Sequence, residues 1–79
     1  MSRVLYNVAV RETGSRRHKR LGNGFLTTKR VHAIGFDCEE RAAEAAAWLF
    51  ENNPGAIDST QVIDGETGRV IQQVRGQCG

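Results

Sequence analysis

Residues 37–52 read DCEERAAEAAAWLFEN, and the rest of the chain has to pack around them. Asp37 has the chemistry of an N-cap, and Glu40 three positions later completes a capping-box pattern. The segment lacks Gly and Pro, holds five alanines, and opens with carboxylates that suit the positive end of a helix. Asn52, Asn53, Pro54 and Gly55 stop it. At ~100° per residue, Cys38, Ala42, Ala45, Ala46, Leu49 and Phe50 share one side. Glu40, Arg41, Glu44 and Glu51 share the other. The spacing therefore predicts an amphipathic helix that must lay its alanine-rich side on something.

That something is a sheet. Arg3 to Arg11 alternates, with Val4, Tyr6, Val8 and Val10 on one face and Leu5, Asn7, Ala9 and Arg11 on the other. Glu12-Thr13-Gly14-Ser15 is turn chemistry. SRRHKR, residues 15–20, has no apolar side chain and reads as a loop or a solvated hairpin arm. Asn23-Gly24 suits a type I′ turn. Residues 25–36 favour extended chain through Thr27, Thr28, Val31 and Ile34. The adjacent Lys29 and Arg30 break their alternation and predict a bulge or the end of the covered sheet. Beyond them, either Val31 and Ala33 or His32, Ile34 and Phe36 face the core. After the helix, residues 60–64 and 69–75 form a second hairpin around DGETG, residues 64–68. The expectation is one α+β domain over residues 1–79. Its antiparallel sheet has about four or five strands, with one amphipathic helix across one face.

Composition narrows the function classes. A 79-residue chain buries a small core, only ~60% of its unfolded surface. The longest apolar run, Ala45 to Phe50, is six residues, far short of a membrane span. MSRVLYNVAV turns polar too soon for a secretion signal, which points to the cytoplasm. There Cys38 and Cys78 are expected as free thiols.

Charge is distributed unevenly. Residues 1–36 hold eight Arg and Lys against one acid, a net +7, and residues 37–79 hold three against eight, a net −5. Such asymmetry points to a polyanionic partner or a polar interface, or to two halves that attract each other. Arg16, Arg17, His18, Lys19 and Arg20 form the densest run, and Arg11, Lys29 and Arg30 lie nearby. Brought together on extended segments, these cations form a patch that attracts phosphates or an acidic protein. No aromatic residue interleaves them, which argues against stacking on single-stranded bases. Trp48 lies ~140° from the centre of the apolar arc. It is either covered by the C-terminal segment or left open as an interface anchor.

Other chemistry finds little support. His18, His32, Cys38 and Cys78 match no zinc spacing. Acids beside Cys38 disfavour a thiolate, and His32 reads as an ordinary strand side chain. Gly22-Asn23-Gly24 lacks the third glycine and following helix of a dinucleotide fingerprint. Asp64-Gly65-Glu66 is too short for a calcium loop. The sequence thus predicts no enzyme, no cofactor, no metal, no membrane and no small-molecule substrate.

Residues 19–52 resemble the last strands and Ala-rich helix of a double-stranded-RNA-binding domain. That family places lysines at the start of this helix, where this chain has Asp37, Glu39 and Glu40. The resemblance therefore transfers no phosphate contact there. In size and layout the whole chain resembles small phage-encoded inhibitor proteins of the anti-CRISPR type. That resemblance implies a non-enzymatic module, encoded by a phage or mobile element. It would inhibit or modulate a host nucleic-acid-handling complex by occupying a charged surface. The alternative is a small basic protein that binds DNA or RNA directly through Arg16–Arg20. The expected contact residues are Arg11, Arg16, Arg17, Lys19, Arg20, Lys29, Arg30 and Trp48.

Overall fold

The structure, a computed structural model, describes residues 5–76. Arg3, Val4 and Cys78 lie outside the described residues. Five strands form one antiparallel sheet: β1 (Tyr6–Glu12), β2 (His18–Leu21), β3 (Leu26–Thr27), β4 (Ile57–Asp64) and β5 (Val70–Gly76), in the order β3-β2-β1-β4-β5. A single helix, α1 (Glu39–Asn52), crosses one face. This is the α+β architecture that the sequence predicts.

Strand alternation does the sorting. Val8 faces Val62 and Val10 faces Thr60 across the β1–β4 ladder, and all four are fully buried. α1 lays Ala42 and Ala46 on this surface, both also fully buried. Alanine has no side chain beyond Cβ, so the helix backbone comes close to the sheet and shields the valines. Ile57 joins the same cluster, with Tyr6, Phe36, Leu49, Phe50 and Val74 packed around it. The helix sits chiefly over β4 and β1, with less on β5.

Three local expectations are corrected. The N-cap is Cys38, not Asp37, and no side chain caps the helix. The first turn therefore relies on Glu39 and Glu40 at the positive helix end. The turn at Asn23-Gly24 is not type I′. That turn needs positive φ at both residues, and only Gly24 has it, at 84°. Residues 25–36 are not one extended run. β3 is two residues long, and a 3₁₀ turn follows at Arg30–His32. The chain then takes β2's place beside β1. Tyr6 and Phe36 exchange two backbone hydrogen bonds of 2.8 Å, and the Ile34 N–H donates to Leu21 O at 2.9 Å. Ile34 and Phe36 therefore turn inward, and Val31 is 84% exposed.

Asn7 fastens this return from the opposite sheet face. Its Nδ2 donates to Ile34 O at 2.9 Å, and its Oδ1 accepts from Arg20 at 3.3 Å. Gly65 sits against it, where an added Cβ would lie 2.7 Å from Asn7 Oδ1. No larger residue fits there without moving the strand. Asp64 closes the β4–β5 turn by accepting from the N–H groups of Glu66 (2.8 Å) and Thr67 (3.2 Å). Those two bonds hold its carboxyl below the usual value.

Among the described residues two buried side-chain atoms lack a hydrogen-bond partner, Arg11 Nε and the hydroxyl of Thr60, a residue that is itself fully buried. Replacement by the near-isosteric Thr60→Val removes that desolvation cost and is expected to add about 1 kcal/mol of stability. For a domain this size that is a rise of roughly 4–8 °C in melting midpoint. Ala46→Leu is expected to do the reverse, costing about 1–3 kcal/mol by forcing the helix off the valines. Thermal denaturation followed by circular dichroism reads both.

Candidate interface

The structure disperses the predicted cationic patch, and the strand pleat is the cause. β2 pairs Ala9 with Arg20, Val10 with Lys19 and Arg11 with His18. Consecutive residues on β2 therefore point to opposite faces. Lys19 turns to the helix side and pairs with Glu12 at 2.9 Å. Arg20 turns to the open side, where it donates to Gly65 O at 3.1 Å and Asn7 Oδ1 at 3.3 Å. Arg11, on the open side as well, pairs with Asp58. Arg30 reaches the β4–β5 turn and donates to Glu66 O at 2.6 Å.

Four of the predicted contact cations are thus engaged within the chain. Arg20 and Arg30 act as braces on one turn, and Arg11 and Lys19 are neutralised by carboxylates. Arg16, Arg17 and Lys29 are exposed, and among the described residues none makes an ion pair or donates a side-chain hydrogen bond. Arg16 and Arg17 sit in the β1–β2 connection, where Ser15 shapes the backbone. Its hydroxyl accepts from Arg17 N–H at 3.3 Å and donates to Arg17 O at 3.2 Å. Thr13 N–H ties the same connection to Ala56 O at 3.0 Å.

Trp48 is 62% exposed, so the described part of the C-terminal segment does not cover it. It forms one wall of a groove of about 680 Å³. Ala45 and Leu49 complete the helix wall. Leu21, Phe25 and Leu26 form the opposite wall, with Ile34 and Ile57 also lining it. Phe25 is itself 49% exposed. Glu12, Asn53 and Ala56 close one end. The groove exists because α1 lies chiefly over β4 and β1 and leaves the apolar side chains of β2 and β3 only half-buried.

Sequence reading identified Trp48 but not its partners across the groove. Two signals pointed to them. Phe25 is an aromatic residue directly after a Gly-Asn-Gly turn, where polar residues are usual. The helix's apolar arc also runs from Ala42 round to Ala45 and Leu49, broader than the sheet surface it covers.

The surface presents bulky, partly exposed apolar side chains along a trough. Among the described residues no group of three or more His, Cys, Asp or Glu side chains is placed to hold a metal ion, and no helix is long and apolar enough to cross a membrane. Compared with protein-family models, with curated proteins and with solved structures, the chain matches none.

Trp48 fluorescence checks the geometry directly. The free protein is expected to emit with a red-shifted, solvent-type maximum and to be quenched efficiently by acrylamide. A blue-shifted, protected Trp48 would contradict the open groove.

Proposed function

We propose that this chain is a non-enzymatic binding module that modulates a nucleic-acid-handling complex of a host cell by occupying a charged surface of it. On this reading it is phage or mobile-element encoded and works in the cytoplasm. The observation that carries the reading is the contrast among the cations. Arg11, Lys19, Arg20 and Arg30 are engaged internally, whereas Arg16 and Arg17 stand exposed on a shaped turn with no carboxylate partner. Free cations on an ordered turn give electrostatic steering toward an acidic surface without the entropy cost of ordering a loose arm. The exposed apolar groove beside that turn supports a protein surface as the partner.

Direct binding to DNA or RNA is the second reading, and the same free cations favour it. The open sheet face argues against single-strand stacking. Ala9, Gln61 and Ile63 occupy its centre, with no Phe, Tyr or Trp side chain there.

A salt series separates the two. With phosphate contacts confined to Arg16, Arg17 and Lys29, direct duplex binding has a slope of log K against log salt no steeper than about −3. On the leading reading, fluorescence anisotropy shows no saturable binding to a labelled duplex or RNA at low salt. The immobilised chain nevertheless retains a nucleic-acid-handling complex from host lysate, and the Arg16→Glu/Arg17→Glu variant loses it. Saturable duplex or RNA binding whose slope flattens by about 2 in Arg16→Ala/Arg17→Ala would transfer the assignment to the second reading.

A further inference from the structure

The turn between β2 and β3 carries a reactive pair, Asn23 followed by Gly24. A backbone nitrogen can attack the carboxamide carbon of an asparagine that precedes it. Glycine permits this best, because no Cβ shields its nitrogen or restricts its backbone. The chain has four asparagines, Asn7, Asn23, Asn52 and Asn53, and the structure sorts them.

Three are protected. Asn7 is buried, its amide is bonded to Ile34 O and to Arg20, and the next residue, Val8, is fully buried. Asn52 ends α1 and donates from Nδ2 to Trp48 O at 2.8 Å. Asn53 donates to Leu49 O at 2.9 Å and precedes Pro54, whose nitrogen has no proton to lose. Asn23 differs on each count. It and Gly24 are exposed, and among the described residues its carboxamide makes no hydrogen bond. The Gly24 N–H donates to Gly22 O at 3.0 Å, which closes a three-residue turn centred on Asn23. A Cβ added at Gly24 would meet nothing within 4 Å, so the turn has room to rotate toward the reactive geometry.

Asp64-Gly65 supplies an internal contrast, since an aspartate before glycine can close the same ring with loss of water. Asp64 Oδ1 accepts from the N–H groups of Glu66 and Thr67, which keeps the carboxyl ionised and its carbon a poor electrophile. The Gly65 N–H donates to Leu5 O at 2.8 Å, and a Cβ added there would lie 2.9 Å from that oxygen. The attacking nitrogen is engaged and its backbone is hemmed in.

We infer that Asn23-Gly24 is a self-modification site, where the folded chain converts Asn23 to aspartate and isoaspartate without an enzyme. The Gly24 nitrogen bonds to Asn23 Cγ, the bond from Cγ to Nδ2 breaks, and ammonia leaves with the Gly24 proton. Water then opens the succinimide ring. Opening at Cγ gives aspartate, and opening at the backbone carbonyl gives isoaspartate, whose chain runs through the side-chain carbon. Either product puts a carboxylate into the turn whose glycines, Gly22 and Gly24, line the Trp48–Phe25 groove. Isoaspartate also lengthens the backbone beside Gly22, whose N–H donates to Phe25 O at 2.7 Å. None of this depends on the chain being a binding module.

The test incubates the native full chain in neutral buffer at physiological temperature for several weeks, then maps its tryptic peptides by mass spectrometry. Cleavage after Arg20 and Lys29 isolates Asn23 from the other asparagines. Expected is a growing share of peptide 21–29 in aspartate and isoaspartate forms, the latter labelled by an isoaspartyl methyltransferase. The modified chain should elute earlier from a cation exchanger. Asn23→Gln, whose longer side chain closes a ring far more slowly, should lose the modification and keep its far-UV circular dichroism. An unmodified peptide 21–29 overturns the inference, and so does modification confined to chain unfolded in urea. Aspartate without isoaspartate overturns the ring route. Equal or faster change at Asn7, Asn52, Asn53 or Asp64 overturns the structural sorting.

Discussion

The close approach of α1 to the sheet is the constraint on which the rest of the molecule depends. Ala42 and Ala46 carry no side chain beyond Cβ, so the helix comes down onto Val8, Val10 and Val62 and seals a core of very few residues. A core this small cannot be spread evenly over five strands. The helix takes the surface where β1 and β4 present their valines and leaves the leucines of β2 and β3 only half-buried. The groove is the direct result: the apolar remainder of a sheet wider than its helix. Packing that stabilises the fold and exposure that offers recognition are two outcomes of one placement.

The cations follow a similar division. Sheet pleat sends neighbouring residues of β2 to opposite sides, so a dense run in sequence becomes scattered in space. Arg20 and Arg30 donate to backbone carbonyls of the β4–β5 turn and brace the end of the sheet. Exposed ion pairs such as Lys19 with Glu12 and Arg75 with Glu51 contribute at most about 1 kcal/mol each. The Lys19–Glu12 pair matters more for neutralising charge at the mouth of the groove. Asn7 joins the two systems by holding the Ile34 carbonyl on one side of its amide and Arg20 on the other. Of the expected contact cations, those outside these duties, Arg16, Arg17 and Lys29, sit in connections, where among the described residues no carboxylate pairs with them.

Some of this was legible in the residues themselves. The helix, its alanine face, the alternation of β1 and the hairpin at Asp64–Gly68 all follow from periodicity and turn chemistry, which act over a few residues. Trp48 was legible as a residue off the apolar arc, since helical geometry alone fixes that angle. Residues 28–36 were not, because no period governs them. Their course is set by hydrogen bonds to Tyr6, Asn7 and Leu21, all distant in sequence. The capping role of Asp37 misled for a related reason. A good local candidate was present, yet the helix begins at Glu39 with Cys38 as its N-cap, two residues after the Phe36 bridge.

The amino-acid order by itself therefore determined the fold class, the helix and its buried side, and the surplus of positive charge in the first half. Only the tertiary structure decided which cations remain unengaged and that Trp48 stands across a trough from Phe25. The physical reason is range. Periodicity fixes which side chains share a face within one element. Which strands a helix covers, and which carbonyl an arginine reaches, depends on how separate elements pack.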